Sequence, residues 1–303
     1  MFINGQLESA QFELYTTGTL PAASTKPYQV VYLTDTNKFL ISDGANWSSN
    51  TVPPTIQRLA SAGVTTGYVF TITSASATTG ATYTNNGNTY TVVDTIAAST
   101  FLWCNNAAAP LSSGTLTKTS GTGDASITFS SALAVATYTT PVGTSFLEVE
   151  IVGGGAGGGT AGNNGTAGVT SYFGSGVLIA GGGGVFIGGT NTINAPAITV
   201  IDMAGGDGRT IVAGGGGGSH GPSGGISYFG GGGEDSASAN SGSGGAGADS
   251  GGGFCGGSGG AGGYIKALLL SPLKAAYPYS VAPSTSGSYS VGGSGVIIVT
   301  EHS

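Results

Sequence analysis

Glycine in this chain is gathered into one stretch. Of 60 glycines in 303 residues, 45 fall between Ile151 and Gly263. Ordering a glycine costs about 0.5–1 kcal/mol more backbone entropy than ordering an alanine. Over 45 positions that burden reaches tens of kcal/mol. Either the stretch is disordered, or close backbone packing offsets the cost. Disorder normally comes with high charge, and here charged residues are only 7% of the chain, against roughly 25% in an average protein. A collagen triple helix needs glycine at every third position and abundant proline. This stretch has neither. Extended helices of three residues per turn remain. Lying side by side, they can pair their N–H and C=O groups laterally, which satisfies the rule that buried backbone groups be bonded.

The details of the stretch suit ordered packing. Its glycine runs are short, at 153–155, 157–159, 181–184, 214–218, 230–233 and 251–253. At ~3.1 Å rise per residue, six to eight residues span ~19–25 Å, the thickness of a compact lattice of such helices. Ser171-Tyr172-Phe173-Gly174 recurs as Ser227-Tyr228-Phe229-Gly230, and aromatics at matched places read as wedges against a lattice. The stretch is also embedded. Before it, Leu147, Val149 and Ile151 alternate with Glu148 and Glu150, the pattern of a one-sided strand. After it come strand candidates at 263–268, 277–281 and 295–300. The glycine body is thus an insertion in a β-sheet domain spanning residues 137–303.

Two smaller units precede it. In residues 1–55, Val30-Val31-Tyr32-Leu33 and Lys38-Phe39-Leu40-Ile41 flank a polar turn, and Asp43-Gly44-Ala45-Asn46 precedes Trp47 as an aromatic lid. Pro53-Pro54 reads as a linker. In residues 63–133, Asn86-Gly87 sits between two Thr/Tyr-rich runs, a strong hairpin signal. A second pair of runs brackets Gly121-Thr122-Gly123-Asp124. Thr, Val, Ile, Tyr and Phe dominate this unit, as suits pleated surfaces. The fold class expected is all-β: short β-modules, then a β-sheet domain with the glycine-rich insertion.

Several functions are excluded on composition. With a net charge of −7 and only seven Lys and Arg, the chain has no basic stripe for nucleic acid or anionic lipid. No run of ~18 apolar residues could insert into a membrane as a helix. The first residues lack a basic segment and an apolar core, so no secretory signal is read. No Gly-Lys-Ser/Thr follows a glycine run, so there is no phosphate-binding loop. Asp202, Asp207, Glu234, Asp235 and Asp249 lack calcium-loop spacing. His220 has no nucleophile elbow and no orienting carboxylate near it in sequence. Glu148 and Glu150 could serve acid–base chemistry in a cleft, but on one strand face they read as a solvated pair. Cys104 and Cys255 are too far apart for a zinc site and too few for a disulfide scaffold. No catalytic residue, metal or cofactor is expected, and the chain is read as not an enzyme.

A resemblance sharpens this. Tyr138-Thr139-Thr140-Pro141-Val142-Gly143 followed by 147–155, together with Gly262-Gly263-Tyr264-Ile265 and Gly292–Glu301, resembles the opening and closing strands of glycine-rich domains in bacteriophage tail fibres. Residues 83–87 with 113–124, and 33–36 with 43–47, resemble recurrent fibre modules. Distal adhesins of T-even-like phages are similar in type. The resemblance implies packed polyglycine-II helices, a virion location in the tail, and synthesis in the host cytoplasm. It implies a homotrimer whose N-terminus binds other tail or baseplate proteins, and a tip that binds a bacterial receptor, either a glycan or an outer-membrane protein. A structural fibre or decoration protein without a receptor, and a bacterial surface adhesin, are the competing readings.

Glycine runs offer only backbone, so specificity belongs to side chains in the joining loops. The candidate receptor-binding residues are Asn163, Asn164, Asn191, Asn194, Pro196, His220, Glu234, Asp235 and Asn240. Amides and carboxylates suit the paired hydrogen bonds of glycan hydroxyls. Tyr172, Phe173, Tyr228 and Phe229, recurring in a fixed motif, read as structural wedges more than as sugar platforms.

Overall fold

The computed structural model describes residues 13–302 apart from 28, 36–37, 50–53, 60–64, 161–162, 195, 210–222, 233–236, 238 and 249–255. The fold is all-β, with one short 3-10 turn at Ala23–Thr25 and no α-helix among the described residues. The chain divides into two compact units, residues 1–55 with 302–303, and residues 56–301.

The first unit is a four-stranded sheet in chain order: β1 (Glu13–Tyr15), β2 (Val30–Leu33), β3 (Lys38–Ser42) and β4 (Trp47–Ser49). The expected hairpin is β2–β3, in register Val31↔Leu40. One face carries Val31, Leu33 and Leu40, buried against Tyr15, Leu20 and Trp47. The Trp47 Nε1–H donates to the Pro21 carbonyl at 2.6 Å. Before Trp47, the Asp43 carboxylate accepts the Ala45 and Asn46 N–H groups at 2.7 and 2.6 Å. Those bonds to its charged form, the Asn46 bond first, hold the Asp43 carboxyl below its ordinary range.

The second unit begins with β5 (Thr55–Leu59) and then a barrel. Its strands are β6 (Gly67–Ala77), β7 (Thr82–Asn85), β8 (Asn88–Val92), β9 (Ile96–Asn105), β10 (Gly114–Ser120) and β11 (Ser126–Thr139). They run in the order β10-β7-β8-β9-β6-β11, and β11 pairs back to β10, so the sheet closes. The β7–β8 turn has Asn86 at φ 50° and Gly87 at φ 73°, the two positive values that a two-residue hairpin turn demands. Inside lie Phe70, Tyr83, Tyr90, Leu102, Cys104, Leu116, Ile127 and Phe129. Phe70 meets Phe129 and Tyr90 edge-on, at 5.0 and 5.5 Å between centroids.

The remaining strands are β12 (Phe146–Val152), β13 (Ser171–Phe173), β14 (Leu178–Ala180), β15 (Asn191–Ile193), β16 (Ala197–Met203), β17 (Tyr264–Leu270), β18 (Ala276–Ser280), β19 (Thr285–Ser286), β20 (Val291–Gly292) and β21 (Val296–His302), and all but the separate β19–β20 pair form a sandwich. One sheet runs β16-β17-β12-β21-β5. The other runs β11-β18-β13-β14-β15. Strand β11 is shared: residues 126–135 serve the barrel, and 136–139 pair with β18. Leu147, Val149 and Ile151 point inward as their alternation predicted, and meet Ile265, Ala267, Leu269, Phe173, Leu178, Tyr277 and Val299 in one core. The glycine body is inserted between β12 and β17, with β13–β16 interleaved.

Candidate functional site

In the glycine body, the lateral hydrogen bonds of residues 153–159 repeat every three residues. Gly153, Ala156 and Gly159 donate to Gly263, Gly260 and Gly257 at 3.0, 2.9 and 2.9 Å. Gly154 and Gly157 donate to Val169 and Thr166 at 2.8 and 2.9 Å. Gly155 and Gly158 donate to Gly293 and Ser290 at 2.8 and 3.1 Å. Each third residue therefore faces the same antiparallel neighbour. A β-strand, with period two, addresses only two neighbours in one plane.

Residues 256–263 follow the same rule in the middle of the body. Gly256, Gly259 and Gly262 donate to Ala248, Gly245 and Gly242; Ser258 and Ala261 donate to Arg209 and Gly206; Gly260 and Gly263 donate to Gly184 and Gly181. The same segment accepts from 153–159, from Gly225 at the Gly259 carbonyl, and from Gly189 at the Ala261 carbonyl. Six segments surround it. Such proximity needs glycine: a Cβ at Gly158 would lie 1.6 Å from the Ala246 carbonyl oxygen, and one at Gly259 would lie 2.1 Å from that of Ala156.

These registers give the body two ends. At the end joined to the sheets lie residues 153, 181, 242 and 263. At the far end lie 159, 163, 209, 248 and 257, joined by the Gly257 N–H to Asn163, Ser258 N–H to Arg209 and Ala248 N–H to Gly159 bonds. The sequence-derived candidates divide between them. Asn163 and Asn164 are exposed at the far end. The Asn163 amide donates to Thr160 Oγ1 at 3.1 Å, and the Thr160 N–H donates to Ser288 Oγ at 3.0 Å. Asn191 is at the sheet end, its amide donating to Asp202 Oδ1, Met203 O and Tyr264 O at 2.7–2.9 Å. The exposed Asn194 donates to the Gly176 carbonyl at 2.7 Å, and Pro196 is exposed beside it. Asn240, half-buried at φ 57°, donates its N–H to Ser294 Oγ at 2.7 Å. His220, Glu234 and Asp235 lie outside the described residues, as does Cys255. The six described candidates do not converge on one patch.

Other groups gather where sequence reasoning placed none. Asp207, Arg209, Ser223 and Ile226, with Gly206, Gly224 and Gly232, line an open cleft of about 430 Å³. Asp207 Oδ1 accepts the Gly188 N–H at 2.8 Å. Among the described residues, the Arg209 guanidinium has no carboxylate at ion-pair distance. Ile226 is 66% exposed. Arg209 was findable, as one of seven cations and directly after Gly205-Gly206-Asp207-Gly208. The cleft was not, because the register that brings residue 206 to 226 is invisible in sequence.

Glu148 and Glu150 face outward from β12, though not as a freely solvated pair. Lys266 on β17 bridges them, at 2.8 Å to Glu148 and 3.7 Å to Glu150. The Tyr264 hydroxyl donates to Glu150 at 2.7 Å. The hydrogen bond that Lys266 donates to Glu148 holds its ammonium above its ordinary pKa, so it stays protonated. Burial, with the Glu150 bond adding, raises Tyr264 as well. Over Tyr264 lies Tyr228, stacked at 3.9 Å and 6° between planes, with Phe229 edge-on. The second Ser-Tyr-Phe-Gly element therefore packs on the sheet, though both rings keep exposed faces. The first is core: Tyr172 and Phe173 are buried in β13.

Among the described residues, no cluster of three or more metal-ligating side chains occurs, and no helix is long and apolar enough to cross a membrane. Comparison with known proteins finds no family model, curated protein or solved structure that matches the chain.

Proposed function

We propose that this chain is a receptor-binding adhesin of bacteriophage tail-fibre type. On this reading the glycine body is a bundle of packed polyglycine-II helices whose far-end loops contact a bacterial surface. The observation that carries it is the three-residue repeat of lateral bonds around 153–159 and 256–263. A backbone bonded on all sides is a rigid mount, and loops on a rigid mount are where recognition resides. Asn163, Asn164, Arg209 and the exposed Tyr289 stand at or near that far end. The fibre-like motifs of the sequence supply the phage assignment. The tip acts by non-covalent binding, and the N-terminal unit joins other tail proteins and trimerises.

The test is labelling of a panel of bacterial strains with the fluorescent full-length chain. Saturable labelling of particular strains is expected. Loss on periodate treatment would identify a glycan receptor, and loss on protease treatment a protein. Uniform background on every strain contradicts the adhesin reading.

A further inference from the structure

Two Asn-Asn-Gly triplets lie among the described residues, Asn85-Asn86-Gly87 and Asn163-Asn164-Gly165. Asparagine before glycine carries its own chemistry. The backbone nitrogen of the glycine can attack the asparagine side-chain carbonyl, because no Cβ on the following residue obstructs the approach. Attack requires the side chain and the following N–H on the same side of the backbone, and both groups released from other bonds. The triplets share the residues that set this reactivity and differ in structure.

The first triplet is locked. Asn86 and Gly87 form the β7–β8 turn, with φ at 50° and 73°. A turn of that type holds ψ of its first central residue at about +30°, which puts the Asn86 Cβ and the Gly87 nitrogen on opposite sides of the Cα–C bond. The Asn85↔Asn88 register closes the turn. The Asn85 side chain clamps it, accepting the Leu111 N–H at 2.9 Å and donating to the Thr115 carbonyl at 3.0 Å.

The second triplet is open. Asn164 is exposed and, unlike Asn86, does not have a positive φ. Among the described residues its side-chain amide has no hydrogen-bond partner, and the Gly165 N–H has no acceptor. The backbone is fixed on both sides. The Asn163 carbonyl accepts the Gly257 N–H at 3.3 Å, and Thr166 and Gly157 exchange bonds at 3.2 and 2.9 Å. Glycine is required at 165, since a Cβ there would lie 1.8 Å from the Gly157 carbonyl oxygen. The packing that demands this glycine thus leaves an unhindered nitrogen beside a free asparagine amide.

We propose that Asn164 is a site of self-modification, converting to aspartate and isoaspartate without an enzyme. The Gly165 nitrogen bonds to Asn164 Cγ, the Cγ–Nδ2 bond breaks, and Nδ2 leaves as ammonia with the Gly165 amide proton. Water then opens the cyclic imide at either carbonyl and is the only co-reactant. Either product is a carboxylic acid, charged at neutral pH. Each event therefore adds a negative charge to the far-end loop. Isoaspartate also lengthens the main chain between the two fixed points.

The experiment ages the full-length chain in mildly alkaline buffer and maps its peptides by mass spectrometry that separates aspartate from isoaspartate. Rates are taken relative to those of the same chain in denaturant, where only local sequence acts. Asn164 is expected to gain the mass of amide-to-acid conversion about tenfold faster than Asn86, a barrier difference of about 1.4 kcal/mol. Asn164→Gln, whose longer side chain closes a ring poorly, should stay unmodified and melt as the parent does. The proposal is overturned if Asn164 survives in the native chain while the denatured chain converts, if Asn86 keeps pace with it, or if Asn164→Gln gains acid at the parent's rate. Strain labelling separates this from the function above. Labelled strains with Asn164 unconverted refute the modification alone, whereas conversion in a protein that labels no strain supports the modification and refutes the adhesin.

Discussion

The Ala156 N–H donates to the Gly260 carbonyl at 2.9 Å, three residues on from the Gly153–Gly263 bond and three before the Gly159–Gly257 bond. That spacing ties composition to structure. The entropy cost of ordering glycine is offset only if backbones approach closely enough to bond on every side, and at the closest contacts only glycine permits the approach.

Substitution at the closest contacts should therefore be costly. At Gly158 a methyl group would enter the Ala246 carbonyl and crowd Ser290 Oγ. Gly158→Ala is expected to destabilise the second unit by about 1–3 kcal/mol, as overpacking does. In a unit of this size that lowers the melting temperature by about 2–4 °C per kcal/mol. Gly231→Ala is the control, since a Cβ there meets nothing within 4 Å. Thermal denaturation that ranks the two variants equally would contradict the packing described.

The asparagines should separate into two classes. Asn191 cross-links three partners at the sheet end. Asn191→Ala removes all three bonds and should cost about 1–3 kcal/mol. The paired change Asn163→Ala with Asn164→Ala, at the exposed far end, should leave the melting temperature nearly unchanged and reduce cell labelling. Measuring stability and labelling on both proteins checks the division, and the reverse pattern would move the receptor surface to the sheet end.

The first unit points to association. Among its described residues the hydrophobic cluster of the core face is small, with Val31, Leu33 and Leu40 buried. On the opposite face Leu14, Val30 and Ile41 are exposed, with Val30 directly across from Ile41. So small a unit gains stability from a partner surface. A mass three times that of the chain is expected by light scattering, falling to one chain mass in Val30→Lys with Ile41→Lys. A parent protein of one chain mass contradicts the trimer.

Cys104 is wholly buried in the barrel, and burial pushes its thiol up to about 12. A protonated, enclosed thiol is a poor nucleophile. In a Cys255→Ser protein at pH 8, a disulfide-exchange reagent should find no reactive thiol until denaturant is added, and then one per chain. Prompt reaction in the native state would mean that the barrel is open.

Much of the fold could be read from local chemistry. Asn86-Gly87 announced the β7–β8 turn, and the alternation of Leu147, Val149 and Ile151 with two glutamates announced the faces of β12. The second bracketed pair of runs likewise became the β10–β11 hairpin, but barrel closure could not be read, because it depends on the β10–β7 and β6–β11 pairings between distant segments and on one strand, β11, serving two sheets. The site was less legible still. Asn191 and Asn163 are chemically identical in sequence, and only the register of neighbouring segments makes one a cross-link and the other a loop residue. Arg209 acquires its surroundings from segments far away in the chain.

The central claim, an ordered body with a three-residue repeat of lateral bonds, is tested most directly by native-state hydrogen exchange of individual glycine amides. Strong protection is expected at Gly153, Gly154, Gly155, Gly157, Gly158 and Gly159 and at Gly256, Gly259, Gly260, Gly262 and Gly263, whose N–H groups all have backbone acceptors, while the exposed loop amide of Asn164 exchanges fast. Exchange at random-coil rates throughout both segments would contradict the account.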